Sequence, residues 1–344
     1  MRASRSTRIA EVAAHAGVSP GTASDALSGK AGSRISAETR LRIERSAREL
    51  NYHGNRLARS MRTGKSGIVG LMVSSGRSNP FMADLLYALE QELAKAGYEV
   101  IVDTDWPFRH SNRFMAFPVE GVLMWAMPNM TAEEFIGPSA RNVPIIYLGY
   151  PRTDASTYIA NDVLGGARAA MDHLLSKGYR RIAYAPTIAD AAQLNYDDKY
   201  MAYCETCERL GVPVNIVRLE PEDADVDASR FGLRTAGFRA GVELGKLPLA
   251  ERPDAIFCSS DVLASGIIQG LVRSGLRVPE DVGIVGYDNI EEAHCLSKTL
   301  TTVSYDVPEL VRLGVAALVR RIQDDEIEHE HVTIPTFLVP GETT

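Results

Sequence analysis

From Ile68 onward the chain alternates short apolar runs with amphipathic stretches, and this alternation restricts the fold more than any other feature of the sequence. The runs are IVGLMV (68–73), YEVIV (98–102), GVLMW (121–125), VPIIYLG (143–149), RIAYAP (181–186), DAIFCSS (254–260) and VGIVGYD (282–288). Helical patterns lie between several of them, at 80–96, 163–177, 197–210, 229–245 and 262–274. Four of these end at glycine (Gly97, Gly178, Gly211, Gly275), the residue that most readily takes the left-handed conformation of a helix terminus. Strand and helix in alternation predict parallel sheets covered on both faces. Residues 66–344 are too many for one such sheet, so two subdomains are expected.

The N-terminal stretch is different in kind. Residues 1–65 contain 13 Lys/Arg and 5 Asp/Glu, a balance of +8, whereas residues 66–344 contain 24 and 39, a balance of −15. Such segregation predicts a small basic module joined to an acidic body. A solvated basic tail is the plain alternative, and the pattern of apolar residues argues against it. Ile9, Val12, Ala13 and Ala16 mark one helix face, and Gly17 stops that helix. Ser19 followed by Pro20 is a helix start, because proline has no N–H to leave unpaired in the first turn. The second helix runs to about Leu27, so the two form a helix-turn-helix. A third helix begins at Ser36, with Thr39, Ile43, Ala47 and Leu50 inward and Arg40, Arg42, Arg45 and Arg48 on the opposite face.

Composition excludes several other classes. With 45% hydrophobic and 24% charged residues the chain reads as globular, and no apolar run approaches the roughly 18 residues of a spanning helix. Four cysteines fit a reducing compartment better than a disulfide framework. The N-terminus is basic but has no apolar core of the kind that marks a secretory signal.

The segments AEVAAHAGVSPGTASDALSG, ISAETRLRIERSARELNY and NRLARSMRTGKS resemble the DNA-binding headpiece and hinge of LacI/GalR-type bacterial regulators. The resemblance implies a helix-turn-helix headpiece at 1–53 and a hinge helix and linker at 54–65. The second helix would enter the major groove, with Pro20, Gly21 and Asp25 facing bases and Ser19, Thr22 and Ser24 facing phosphates. Further DNA contacts fall on Arg8, Ser28, Arg34, Ser36, Thr39 and Tyr52. Asn55, Arg56 and Ala58 would belong to the hinge helix, and Met61 stands where the family places an apolar minor-groove wedge. Asp25 stands where an arginine is usual. Since an aspartate can only accept, for example from a cytosine amino group, sparse major-groove readout is expected.

The body resembles the periplasmic-binding-protein-like core of the same family through SNPFMADLLYALEQELAKAGYEV, NDVLGGARAAMDHLLSKGYRRIAY, SSDVLASGIIQGLVRSGLRVPEDVGIVGYDN and LTTVSYD. This implies an effector-binding and dimerisation domain at 66–344 made of two Rossmann-like lobes, about 66–160 with 302–325 and about 161–301 with 326–344. An effector would lie between them, at the carboxyl ends of the strands. The matching positions are Ser74, Asn79, Phe81, Asn195, Lys199, Ser260, Asp261, Asp288 and Tyr305. Asp288 reads as a ligand contact; Asp261 either contacts ligand or caps the following helix. Phe81, Trp125, Tyr150, Tyr196 and Tyr305 could stack on a sugar ring or serve as core. Lys199 replaces a usual arginine, Gly149 a usual aspartate, and the chain is about ten residues short between Asp105 and Gly121.

The expectation is therefore a cytoplasmic, nucleoid-associated, homodimeric bacterial transcriptional regulator, acting as a repressor on a pseudo-palindromic duplex operator. A sugar or sugar derivative would control its affinity. The competing reading is a transport-type sugar-binding protein without DNA function. No enzyme, metal, cofactor or membrane role is expected: there is no GxSxG or P-loop pattern, and the CxxC of Cys204 and Cys207 has no further ligands and reads as packing. Asp197 and Asp198 read as a solvated helix start, and His329 and His331 as surface.

Overall fold

A computed structural model of the protein describes residues 7–27, 35–52, 65–73, 79–103, 119–125, 143–151, 155–187, 194, 197–219, 232–324 and 326–344. The chain divides into two compact units, Met1–Ser66 and Gly67–Thr344.

In the first unit, helices α1 (Ile9–Ala16), α2 (Pro20–Leu27) and α3 (Ala37–Glu49) follow the sequence pattern closely. Gly17 closes α1 at φ 64°, and Val18 N donates to Ala13 O at 2.9 Å, which turns the chain into α2. Ser36 Oγ accepts from Thr39 N at 3.2 Å and caps α3. The core is small: Val12, Ala13 and Ala16 from α1, Ala23 and Ala26 from α2, and Ile43 and Ala47 from α3. Five of its seven members are alanines, so the helices approach closely but bury little side-chain area, and polar ties supplement them. Arg42 Nε donates to Ala16 O at 3.0 Å and Arg40 Nη1 to Ala26 O at 2.7 Å, each placing a cation at the negative end of a helix.

In the second unit, β1 (Ile68–Val73), β2 (Glu99–Asp103), β3 (Gly121–Trp125), β4 (Ile145–Gly149), β5 (Thr157–Asn161) and β10 (His331–Ile334) form a parallel six-stranded sheet ordered β10-β5-β4-β3-β1-β2. Helix α4 (Pro80–Lys95) packs Leu85, Leu89 and Leu93 into the core beside it, and α10 (Val307–Gln323) lies against β3, β4 and β5. A second parallel sheet, β6-β7-β8, comprises β6 (Ile182–Ala185), β7 (Ala255–Cys258) and β8 (Gly283–Val285). It is accompanied by α5 (Val163–Ser176), α6 (Asp198–Leu210), α7 (Gly232–Lys246), α8 (Asp261–Arg273) and α9 (Glu291–Cys295). The backbones of α7 and α8 touch: a Cβ on Gly237 would stand 2.5 Å from Leu263 O, and one on Gly266 2.2 Å from Arg234 O.

Two short segments lie on the other side of the expected lobe boundary. β9 (Thr302–Ser304), expected with the first lobe, pairs with β11 (Phe337–Val339), and Thr301 beside it bridges Val285 of the second sheet. β10, expected with the second lobe, extends the first sheet beside β5. The physical reason is that the last strands complete hydrogen-bond ladders at sheet edges, which a local pattern does not reveal. Helix α10 and strand β5 lie outside the elements expected from the sequence. Among the described residues no helix is long and apolar enough to cross a membrane.

Candidate functional site

In the first unit, Ser19, Pro20 and Gly21 are exposed at the start of α2, with Thr22, Ser24 and Asp25 half-buried on the same short helix. Ser19 Oγ accepts from Thr22 N at 3.1 Å and lies 2.8 Å from Thr22 Oγ1, so the two hydroxyls orient one another at a helix N-terminus, where backbone N–H groups favour anions. Arg8 and Ser36 are exposed, while Thr39 and Tyr52 are half-buried, Tyr52 against the headpiece core. Ser28, Arg34, Asn55, Arg56, Ala58 and Met61 lie outside the described residues. Arg40 and Arg42 were expected on an open basic face, yet both also bind helix carbonyls, as described above.

In the second unit, the carboxyl ends of the two sheets converge on one group of side chains. Asn79 caps α4, its Oδ1 accepting from Phe81 N at 3.1 Å, and its Nδ2 donates to Asp288 Oδ2 at 2.8 Å. Asp288 follows β8 on a left-handed backbone, φ 108°, and is buried. Burial pushes its carboxyl up to about 6, against the opposing pull of Lys199 and of the Asn79 hydrogen bond. Phe81 lies 4.9 Å from Tyr305 and 5.5 Å from Trp125, and Trp125 lies 6.1 Å from Tyr150, which makes one aromatic wall. Burial raises the Tyr150 hydroxyl well above its ordinary range, reinforced by Asp197, Asp198 and Asp288 nearby. Lys199 is buried, donates from Nζ to Ser259 O at 2.7 Å and sits 4.1 Å above the centre of the Tyr287 ring.

Several sequence-level expectations are refined by this geometry. The cap of α8 is Ser260, whose Oγ accepts from Leu263 N at 3.3 Å, not Asp261. Asp261 is buried and its carboxylate accepts from Ile290 N at 3.0 Å and Thr302 Oγ1 at 2.6 Å. Burial raises its carboxyl, with Asp288 adding to the effect. Asp197 is not solvated: it is buried, caps α6 and accepts from Tyr184 Oη at 2.5 Å. No local signal marks that, because Tyr184 reaches it from a different strand. Gly149 lacks a side chain for a steric reason, since at φ 93° its Cβ would meet the Trp125 ring at 2.9 Å. The indole fills the place where an aspartate is usual. Cys204 and Cys207 belong to the packed face of α6, and among the described residues no cluster of metal-ligating side chains occurs. His329 and His331 are exposed. Ser74, Asn195 and Tyr196 lie outside the described residues.

Comparison with known proteins agrees with both halves of this description. Residues 8–55 match the family described as "Bacterial regulatory proteins, lacI family", and residues 171–344 match a "Periplasmic binding protein-like domain". The chain is 30% identical to a ribose operon repressor of Halalkalibacterium halodurans, covering 98% of this chain and 97% of that one. It is 26% identical to a transcriptional regulator CelR solved as a cellobiose complex, at a TM-score of 0.66, covering 98% of this chain and 100% of that one. The fold is also shared with a Lac repressor dimer bound to operator and the anti-inducer ONPF, at 24% identity and a TM-score of 0.76 over 99% of each chain. A basic helix-turn-helix unit joined to a two-sheet body thus defines a DNA-binding transcriptional regulator rather than a transport-type binding protein. The chain belongs to the lacI family of bacterial regulatory proteins.

Proposed function

We propose that the protein is a homodimeric cytoplasmic repressor whose operator affinity is set by a carbohydrate held between the two lobes of residues 66–344, and that it has no enzymatic activity. The carrying observation is the meeting of Asn79, from the first lobe, with Asp288, from the second, beside the aromatic wall of Phe81, Trp125, Tyr150 and Tyr305. Carboxylate and amide groups next to ring faces suit a ligand with hydroxyls on its edge and an apolar face. In this reading Lys199 and Tyr305 also face the ligand, with Ser74 and Asn195 completing the polar set. Asp261 holds the segment that presents Asp288, through Tyr287 O, Ile290 N and Thr302 Oγ1, and Ser260 caps α8 beside it. The sugar-related relatives support the class of ligand, and ribose is the first compound to test.

On the DNA side, Ser19, Thr22 and Ser24 would bind phosphates, Pro20, Gly21 and Asp25 would face bases, and the segment 54–65 would form the hinge that inserts Met61 in the minor groove. The residues of the two-fold related headpieces would read a pseudo-palindrome. Effector and operator affinities are then linked reciprocally.

Fluorescence anisotropy with a library of pseudo-palindromic duplexes at two salt concentrations tests the DNA reading; binding should weaken steeply with salt. A thermal-shift screen of sugars, sugar phosphates and purines tests the effector reading, because a ligand at 100 times its dissociation constant stabilises by about 2.7 kcal/mol. Stabilisation by no sugar in such a screen would refute the carbohydrate assignment.

A further inference from the structure

The Asn79–Asp288 hydrogen bond joins two residues 209 positions apart, one at the start of α4 beside the first sheet and the other after the last parallel strand of the second. Both ends are held rigidly. Asn79 Oδ1 accepts from Phe81 N, which fixes the amide orientation and leaves Nδ2 to donate across the gap. Asp288 stands on a left-handed backbone that a non-glycine residue adopts at a cost of about 1–3 kcal/mol. Its own N donates to Val303 O at 2.9 Å, and Asn289 beyond it is also left-handed, at φ 53°. A bend maintained against strain aims the carboxylate at α4.

We propose that this pair is an interlobe latch, and that a ligand of the cleft gains its place by substituting its own donor for the Asn79 amide on Asp288. The inference rests on the cleft reading above and adds a rule of selection to it. A hydroxyl or amino group can take over the bond, whereas at neutral pH and above an ionised phosphate or carboxylate brings only lone pairs to a carboxylate that itself has only lone pairs to offer. Phosphorylated sugars that direct their anionic end at Asp288 are therefore excluded. Ligand and latch also compete, so weakening the latch from the α4 side loosens the lobes, while removing the Asp288 carboxylate removes the acceptor both share.

The test uses the full chain without ligand. Asn79→Asp keeps a good helix cap, since aspartate and asparagine cap about equally well, but replaces the donor by a carboxylate facing Asp288. The exchanged pair Asn79→Asp with Asp288→Asn restores one amide against one carboxylate with the roles reversed. Hydrogen exchange is followed in the amides of 81–85 and 287–290, with those of α1–α3 as an internal standard. Asn79→Asp should speed exchange in both segments about tenfold, equivalent to about 1.4 kcal/mol, and the exchanged pair should return it towards the starting value. Wild-type exchange in Asn79→Asp, or equally fast exchange in the single and double variants, would overturn the latch. If Asn79→Asp does not fold, Asn79→Ser serves in its place, because serine still caps but is too short to span to Asp288. This readout contains no ligand, so its failure is distinct from failure of the carbohydrate assignment, which the thermal-shift screen scores.

Discussion

Gly166 sits where three separate segments cross, and a single methyl group there tests whether the crossing is as tight as described. Its Cβ would stand 2.1 Å from Thr336 Oγ1, 2.7 Å from Tyr287 Oη and 2.8 Å from Val303 Cγ1. Two of these atoms are committed: Thr336 Oγ1 donates to Asp162 O at 2.8 Å and Tyr287 Oη to Val163 O at 3.1 Å. Displacing both hydroxyls forfeits about 1 kcal/mol per hydrogen bond. Overpacking against Val303 adds about 1–3 kcal/mol. Alanine in place of glycine inside a helix returns about 1 kcal/mol. Gly166→Ala should therefore destabilise the body by about 2–4 kcal/mol in net terms. Urea unfolding followed by tryptophan fluorescence isolates this effect, because both tryptophans, Trp106 and Trp125, lie in the body and none in the headpiece. The midpoint should fall by about 1 M for a slope of about 3 kcal/mol/M. An unchanged or raised midpoint would mean that the three segments separate freely at this point, and the tight crossing would have to be abandoned.

Other perturbations bear on the two ends of the molecule. Gly21 has no neighbour nearer than Ser19 Oγ at 3.8 Å for an added Cβ, so Gly21→Ala should raise headpiece stability by about 0.5–1 kcal/mol. If that face of α2 rests on bases, the same variant weakens operator binding in anisotropy; unaltered affinity would remove Gly21 from the interface. Asp288 titrates near 6 rather than in the ordinary carboxyl range, so the folded state holds its proton more tightly than the unfolded chain. The stability this confers is fully present below the unfolded value and disappears as pH rises through 6. Between pH 7.5 and 5 the wild type should gain about 1 kcal/mol relative to Asp288→Asn in urea midpoints; parallel behaviour of the two would contradict the assignment. Met61→Ala should weaken operator binding in a gel shift without changing the unfolding midpoint, and unaltered retardation would discard the wedge.

The local parts of this architecture were legible because they depend on neighbouring residues. Ser19-Pro20 and Ser36 begin helices, and Gly97, Gly178, Gly211 and Gly275 all take positive φ after helices, as short-range sterics demand. The strands expected at 68–73 and 121–125 occur as written. What escaped was set by distant partners. TYIAN and HVTI are unremarkable alone; TYIAN becomes a strand between β4 and HVTI, and HVTI becomes one by adding to the edge that TYIAN offers. Asp197 resembles a surface cap until Tyr184 reaches it from another strand, and the arginines of α3 resemble a bare cationic face until helix carbonyls claim two of them. At the cleft, sequence supplied the members, Asn79, Phe81, Lys199, Asp288 and Tyr305, but not their bonding, since Asn79 and Asp288 meet through tertiary folding alone.

The C-terminal segment has a consequence for how the body is made. His331–Ile334 completes the rim of one sheet, Phe337–Val339 flanks β9, and Thr343 Oγ1 then donates to Ile284 O at 2.7 Å in the other sheet. During synthesis both halves thus wait for the same dozen or so residues, and neither can finish while those are still inside the ribosome. Clipping the tail would not trim an ornament but would unstitch both halves together.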